Sequence, residues 1–186
     1  MATLFVDKID PQSGTSLEIG SSGDTLDLSN PSTVTLNSVM KNTPSFSAKL
    51  AGNFTLTQNT LVLIPFATEQ WDTNNAYDNT ASNYKFTVPS GEAGKYYVTA
   101  ITSIGNQPSG TWNYTQLYKN GASFNEPISF TFGYTSVTQD SFAKIVGILD
   151  LSVGDYLQIY ATTNEASNKT LASARCVFQI YKLIGV

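Results

Sequence analysis

The residues of this 186-residue chain that could perform acid–base chemistry are four aspartates in two pairs. Asp72 lies six positions before Asp78, and Asp150 lies five before Asp155. Because glycosidases act with two carboxylates across a cleft, each pair is a candidate catalytic site. Asp72 and Asp78, however, lie in an Asn-rich segment, and Asp155 follows Gly154, where Asp commonly forms turns. We therefore expect all four to have structural roles.

Other catalytic chemistry is limited by missing residue types. The chain has no His and a single Cys, Cys176. Without His, Ser-His-Asp and Cys-His nucleophilic systems are excluded, and so are His-bearing metal sites. Cys176 lies in an apolar segment, where packing in the core is expected. EF-hand calcium spacing and phosphate- or dinucleotide-binding glycine patterns are missing as well. The sequence predicts a protein that is no enzyme and uses no metal or cofactor.

Polar segments beside aromatic residues are the remaining candidates for function. Segments 71–82 and 105–112 are rich in Asn and Gly and contain Trp, and 163–170 is a third polar segment. Rings next to amides suit sugars, which have an apolar face and many hydroxyls. In the alternative interpretation, the two Trp residues are half-buried packing anchors. The candidate receptor-binding residues are Trp71, Asp72, Asn74, Asn106, Gln107, Trp112 and Asn164.

Composition restricts the class of protein that must position these residues. Only 13% of residues are charged, whereas 41% are hydrophobic and 12% aromatic, so the chain can build a core and is not of the disordered, highly charged type. The net charge of −4 argues against nucleic acid as a partner. No apolar run is long enough for a membrane-spanning helix, and residues 1–10 do not resemble a secretory signal. We expect synthesis in a cytoplasm and no membrane insertion.

The apolar runs are short, rich in Val, Ile, Thr, Tyr and Phe, and end in Gly, Pro, Asn or Asp. This pattern predicts an all-β fold of many strands joined by turns, arranged as a two-sheet sandwich or jelly roll. Asn120-Gly121 is the strongest hairpin signal. The predicted strands are 45–50, 61–66, 84–88, 95–104, 112–119, 129–134, 142–151, 156–162 and 172–183.

Residues 1–42 form a predicted N-terminal segment that differs from the rest. Short alternating apolar pairs, such as Leu17 with Ile19 and Leu26 with Leu28, recur about every eight or nine residues. Each unit is too short to bury a core by itself. The segment is either a flexible leader or an anchoring or stalk segment that becomes ordered against other copies of itself. Residues 43–186 form the predicted knob domain.

Three predicted strands, 95–104, 142–151 and 172–183, are apolar on both faces. A strand of a two-sheet sandwich needs only one buried face. A second apolar face is explained by self-association, although loops of the same chain could also cover it. The candidate interface residues are Tyr97, Ile101, Ile145, Leu149, Val177, Tyr181 and Leu183.

Segments in residues 43–185 resemble, in the same order, the globular head of the q subunit of the first complement component. They are PSFSA (44–48), WDTNNAYD (71–78), KFTVP (85–89), GKYYV (94–98), LYKNG (117–121) and LSVGDY (151–156). The resemblance implies a ten-stranded jelly roll of the tumour necrosis factor (TNF) type, assembled as a tight trimer. It also implies that one sheet, with the strands around Tyr97, Val146 and Phe178, lies inside the trimer.

Segments 6–15 (VDKIDPQSGT) and 17–26 (LEIGSSGDTL) resemble part of fibre-like virion proteins of tailed phages, notably marine ones. The resemblance implies a homotrimeric virion appendage, a knob or short fibre, joined to other virion proteins by residues 1–42. We expect attachment to a host surface glycan or protein. The alternatives are a capsid or tail decoration protein that binds no receptor, and a cellular complement-like recognition module.

Overall fold

The structure of the chain, a computed structural model, describes residues 43–124, 128–131 and 133–183. These belong to the compact unit Asn37–Val186. The predicted N-terminal segment, residues 1–42, lies outside the described residues, so its short strands and its role stay predictions. No helix in the described part of the chain has the length and hydropathy of a membrane span.

Strands make up 59% of the structure, because β-branched and aromatic residues favour a pleated, half-buried surface and the turn residues end each run. A single turn of 3-10 helix, Ser173–Arg175, interrupts them. The strands are β1 (Ser45–Lys49), β2 (Phe54–Leu56), β3 (Val62–Leu63), β4 (Thr68–Asp72), β5 (Tyr77–Asp78), β6 (Lys85–Thr87), β7 (Gly94–Gln107), β8 (Trp112–Lys119), β9 (Ala122–Phe124), β10 (Ile128–Thr131), β11 (Gly133–Tyr134), β12 (Gln139–Leu151), β13 (Tyr156–Thr163), β14 (Lys169–Leu171) and β15 (Val177–Lys182).

The strands form two antiparallel sheets. Sheet 1 has the order β10-β12-β7-β15-β1-β4, and β14 joins β2 to β7. Sheet 2 has the order β11-β8-β13-β6-β5, with β3 beside β13 and β9 beside β8. The predicted two-sheet sandwich is confirmed.

The core lies between the sheets and is rich in aromatic rings. Phe46 of β1 stacks on Tyr77 of β5, with ring centroids 4.4 Å apart, and meets Phe178 of β15 edge-on at 4.9 Å. Burying each such side chain contributes roughly 1.5–3 kcal/mol. Alternate residues of the long strands complete the core, among them Tyr96, Val98, Ala100, Ile104, Leu117, Ile145, Leu149, Leu157, Ile159 and Ile180.

The end of the core where β7 begins is closed by an ion pair. Lys182 Nζ lies 2.8 Å from Glu92 Oε2, and the two side chains are only 11% and 10% exposed. The Tyr96 hydroxyl donates a hydrogen bond to the backbone carbonyl of Glu92. Removing one partner of such a pair leaves a buried charge, so the pair holds the end of β15 against the segment before β7.

Three predicted strands need correction. Segment 61–66 is a strand only at Val62–Leu63. Segment 129–134 contributes to two strands, because β10 pairs with β12 in sheet 1 whereas β11 pairs with β8 in sheet 2. Segment 172–183 begins with the 3-10 helix, and its strand starts only at Val177. The Asn120-Gly121 turn is confirmed: both residues have positive φ, 54° and 80°, and they join β8 to β9.

Candidate functional site

The outer face of sheet 1 points away from the core and is the first candidate site. Inward residues of β7, such as Tyr96 and Val98, are fully buried, so the residues between them face outward. Strand register places these outward residues in cross-strand rows. The rows are Ile148–Tyr97–Tyr181, Val146–Thr99–Gln179 and Lys144–Ile101–Val177.

This face exposes large apolar side chains. Phe142 and Ile148 of β12 are each 49% exposed. Trp71 of β4 is 40% exposed, and its ring centroid lies 6.2 Å from that of Tyr181 on β15. Trp71 therefore belongs to a strand of sheet 1, which corrects its assignment to a binding loop.

Three polar side chains of the same face already have partners, whereas the buried hydroxyl of Ser103, opposite Phe142, has none among the described residues. Gln179 Nε2 donates to Ser47 Oγ at 3.2 Å, and Ser47 Oγ donates to Gln70 Oε1 at 2.9 Å. Thr99 Oγ1 donates to the backbone carbonyl of Ile145 at 3.1 Å. Since a buried polar group is costly only when it lacks a partner, a second protein surface could cover these groups at little cost.

The structure corrects two of the seven candidate interface residues. Ile145 and Leu149 are 0% and 1% exposed because they point into the core of their own chain, so the prediction is wrong for them. Their neighbours Val146 and Ile148 occupy the outer face instead. The remaining candidates, Tyr97, Ile101, Val177, Tyr181 and Leu183, are partly exposed. Their role in a trimer stays a prediction.

The carboxylates of segment 71–82 organise their own turns. Asp72 accepts hydrogen bonds from the N–H of Asn74 at 3.2 Å and of Tyr77 at 2.8 Å. Asp78 accepts hydrogen bonds from the hydroxyl of Thr80 at 2.5 Å and from its N–H at 3.0 Å, and these two bonds hold the pKa of Asp78 below its usual range. The predicted structural role of Asp72 and Asp78 fits this bonding.

The other candidate residues lie at the end of β7, at the start of β8 and directly after β13. Gln107 is fully buried, and its Nε2 donates to the carbonyl of Gly133 at 3.3 Å. It therefore cannot contact a receptor, and that prediction is wrong. Asn106 donates its N–H to Asp140 Oδ1, and Asn164 Oδ1 accepts the N–H of Trp112 at 2.7 Å. The structure does not bring Trp71 and Trp112 together, because they lie on different sheets.

The outer face of sheet 2 carries a tyrosine cluster that we did not predict as a site. Tyr118 of β8 and Tyr160 of β13 are tilted against each other, with centroids 4.2 Å apart. Tyr156 lies on β13 together with Tyr160, and Lys85 Nζ of β6 lies 5.2 Å from the centroid of the Tyr156 ring. The alternation of aromatic and amide residues at 112–118 and 156–160 is the signal in the sequence for this cluster.

The single thiol and the described metal-ligating side chains offer no further candidate site. Cys176 is 2% exposed, and burial raises the pKa of its thiol, which accepts the N–H of Ser103 at 3.3 Å. Among the described residues, no cluster of three His, Cys, Asp or Glu side chains could hold a metal ion.

Comparison with known proteins supports the fold alone. No protein-family model matches the sequence, and no curated protein matches it. The globular domain of zebrafish complement 1qA protein is similar in structure, with a TM-score of 0.54 and 18% identity over 77% of this chain and 98% of that chain. Murine APRIL at pH 5.0 is also similar, with a TM-score of 0.52 and 10% identity over 75% and 98%. The fold is the jelly-roll sandwich of the C1q and TNF type.

Proposed function

We propose that this chain is a non-enzymatic recognition module that acts as a homotrimer, with the outer face of sheet 1 as its self-interface. The observation that carries the proposal is the apolar character of this face. Phe142, Ile148 and Trp71 are 40–49% exposed there, and the polar Gln179 and Ser47 on the same face are already hydrogen-bonded. An uncovered patch of this kind is unusual for a monomer. The resemblance to the complement head, which implies a trimer with this sheet inside, agrees with this position.

The module serves as a knob or short fibre on the virion of a tailed phage, where it attaches the particle to a host surface glycan or protein. Residues 1–42 join it to other virion proteins. The support for this setting is the resemblance of segments 6–15 and 17–26 to fibre-like virion proteins. Three copies on one axis would convert weak single contacts into firm attachment through avidity.

Light scattering of the purified full chain tests the trimer. We expect a mass three times the 20.1 kDa of one chain. Ile148→Glu places a charge in the proposed interface and should yield monomers, because the charge would be buried without a partner. Val153→Glu is the matched control: Val153 is 51% exposed in the turn after β12, so this variant should remain trimeric. A wild-type monomer at micromolar concentration would overturn the proposal.

Electron microscopy of intact particles, with the chain labelled by an antibody, tests the virion role. We expect the label at the outer end of a capsid or tail appendage, and specific binding of the purified chain to host cells. A label on the particle without host binding would favour a decoration protein.

A second candidate, a cellular recognition module, is favoured by the structural similarity to zebrafish complement 1qA protein. If the label is absent from the particles, the result favours the cellular recognition module over the virion role.

A further inference from the structure

The outer face of sheet 2 differs in chemistry from the outer face of sheet 1. Leu117 of β8 and Ile159 of β13 point into the core, at most 1% exposed, so the residues between such positions face outward. All of these outward residues are aromatic, amide or hydroxyl side chains, and none carries a charge. They are Trp112, Tyr114, Gln116 and Tyr118 on β8, and Tyr156, Gln158, Tyr160 and Thr162 on β13.

Tyr118 and Tyr160 form the centre of this face. In the β8–β13 register, Tyr118 lies opposite Gln158 and Tyr160 opposite Gln116, so the two rings are diagonal neighbours, 4.2 Å apart. Both are partly exposed. Burial raises the pKa of Tyr160, and its hydroxyl therefore stays protonated, able both to donate and to accept a hydrogen bond.

Polar groups flank the two rings. Ser123 of β9 lies opposite Tyr118 and is exposed, and Gln116 Nε2 donates to its Oγ. Beneath the rings, Gln158 is fixed by donating to the carbonyl of Asn83 at 2.6 Å. Gln116, Tyr118, Ser123 and Tyr160 are called the tyrosine patch below.

We infer that the tyrosine patch binds an uncharged oligosaccharide; this inference rests on the proposed function and names its ligand class. The C–H face of a sugar ring packs on an aromatic face, and its hydroxyls bond to amide, serine and tyrosine groups. None of the four side chains of the tyrosine patch carries a charge, and Lys85 of the neighbouring β6 lies over the ring of Tyr156, so the patch itself offers no charge to an anionic or cationic ligand.

Two other ligand classes fit the patch less well. A peptide that adds a strand needs an unpaired sheet edge, but β8 and β13 lie inside sheet 2 and pair on both sides. Nucleic acid needs several available cations, whereas Lys119, at the end of β8, is paired with Asp155 at 2.8 Å and Lys85 lies over the ring of Tyr156.

Binding of the fluorescently labelled full chain to an array of immobilised oligosaccharides tests the inference. The array carries neutral glycans built from glucose, galactose, mannose and N-acetylhexosamines, and sialylated or sulfated glycans for comparison. We expect binding to neutral glycans, weakened at least tenfold by Tyr118→Ala and by Tyr160→Ala. Tyr118→Phe should retain it, because the ring stays. Binding to no neutral glycan, or only to charged ones, would overturn the inference.

The matched control is Tyr134→Ala. Tyr134 is 63% exposed on the same sheet, but it lies opposite Trp112, six residues along β8 from Tyr118 and thus about 20 Å away. This variant should bind like the wild type. Loss of binding in Tyr134→Ala alone would place the site at the Trp112 end and contradict the inference. Circular dichroism and the trimer mass check that each variant is folded.

A measurement without substitutions guards against variants that fail to fold. Nitration of the wild-type chain with tetranitromethane, mapped by mass spectrometry, should modify Tyr118 and Tyr160 less when a binding neutral glycan is present. Tyr134 should be modified equally with and without it. Unchanged modification of Tyr118 and Tyr160 would argue against the tyrosine patch. Trimer mass and particle position are measured separately, so failure here leaves the proposed function standing.

Discussion

Individual polar residues of this protein mostly stabilise its own backbone. Asp72 accepts two backbone N–H groups, Asp78 fixes the turn at Thr80, and Asn164 accepts the N–H of Trp112. Because their acceptor groups are engaged in turns, these residues do not form an acid–base pair across a cleft. Asp155 also accepts hydrogen bonds at a turn, and this bonding makes the stability of the fold depend on pH.

Asp155 stabilises the fold only when ionised. Burial alone would raise its pKa, but bonds from Lys119, from Asn120 Nδ2 and from the N–H of Ser152 lower it to about 2, against its usual 3.8. Since the folded-state pKa is the lower one, the stabilisation is present above pH 4 and is lost as the pH falls towards 2. Asp155→Asn should cost about 1 kcal/mol at pH 7 and flatten this decline.

Urea denaturation at fixed protein concentration between pH 7 and 2 measures this effect. Asp150→Asn, at an exposed position of β12, is the control and should keep the wild-type pH dependence. An equally steep decline in Asp155→Asn between pH 4 and 2 would contradict the prediction.

Gly133 shows how one missing side chain permits a buried polar contact. Ser141 Oγ donates to Asn113 Oδ1 at 2.8 Å, and a Cβ at position 133 would lie 2.1 Å and 1.7 Å from these two atoms. Gly133→Ala should therefore destabilise the fold by about 1–3 kcal/mol, as overpacking does. Thermal unfolding measures it, with Gly52→Ala, whose Cβ would meet nothing within 4 Å, as control. Equal melting temperatures in the two variants would refute the steric explanation.

At the scale of the element, the two faces of one strand have different tasks. On β12, Leu149 is 1% exposed and its neighbour Ile148 is 49% exposed. Both residues are aliphatic, so composition does not reveal which faces the core. Pairing decides it, because register sets Leu149 opposite the core residue Tyr96 and Ile148 opposite Tyr97.

Truncation of these two neighbours should therefore have different consequences. Leu149→Ala leaves a cavity and should destabilise the fold by about 2–5 kcal/mol. Ile148→Ala should leave the fold intact but weaken the proposed trimer. Denaturant unfolding and light scattering over a dilution series measure the two effects. If Ile148→Ala destabilises the fold as strongly as Leu149→Ala and dissociates no more readily than the wild type, the assignment of β12 faces to core and interface is wrong.

For the whole molecule, the two outer sheet faces differ in what can cover them. Sheet 1 presents a mixed face, on which the aliphatic Ile101, Val146 and Ile148 lie beside tyrosines and hydrogen-bonded polar side chains, and this suits the proposed contact between copies. Sheet 2 presents tyrosines and amides, which can bond to a hydrated ligand. We propose that sheet 1 serves assembly and sheet 2 serves recognition.

Assembly through sheet 1 should make thermal stability depend on protein concentration. If folded chains associate and unfolded chains do not, the melting temperature rises with concentration by mass action. We expect this rise in the wild type and a much smaller one in Ile148→Glu, measured by circular dichroism over a hundredfold range. A wild-type melting temperature that does not change with concentration would contradict a trimer coupled to folding.

The sequence alone determined the all-β class, the long strands, the Asn120-Gly121 turn and the lack of His chemistry. These follow from local preferences, since residue types set strand and turn formation. Only the tertiary structure decided which face of β12 is buried, that Gln107 is inside and Trp71 on a sheet, and that Tyr118 meets Tyr160. Each of these depends on register and on which strands become neighbours, and strands distant in the chain settle both together.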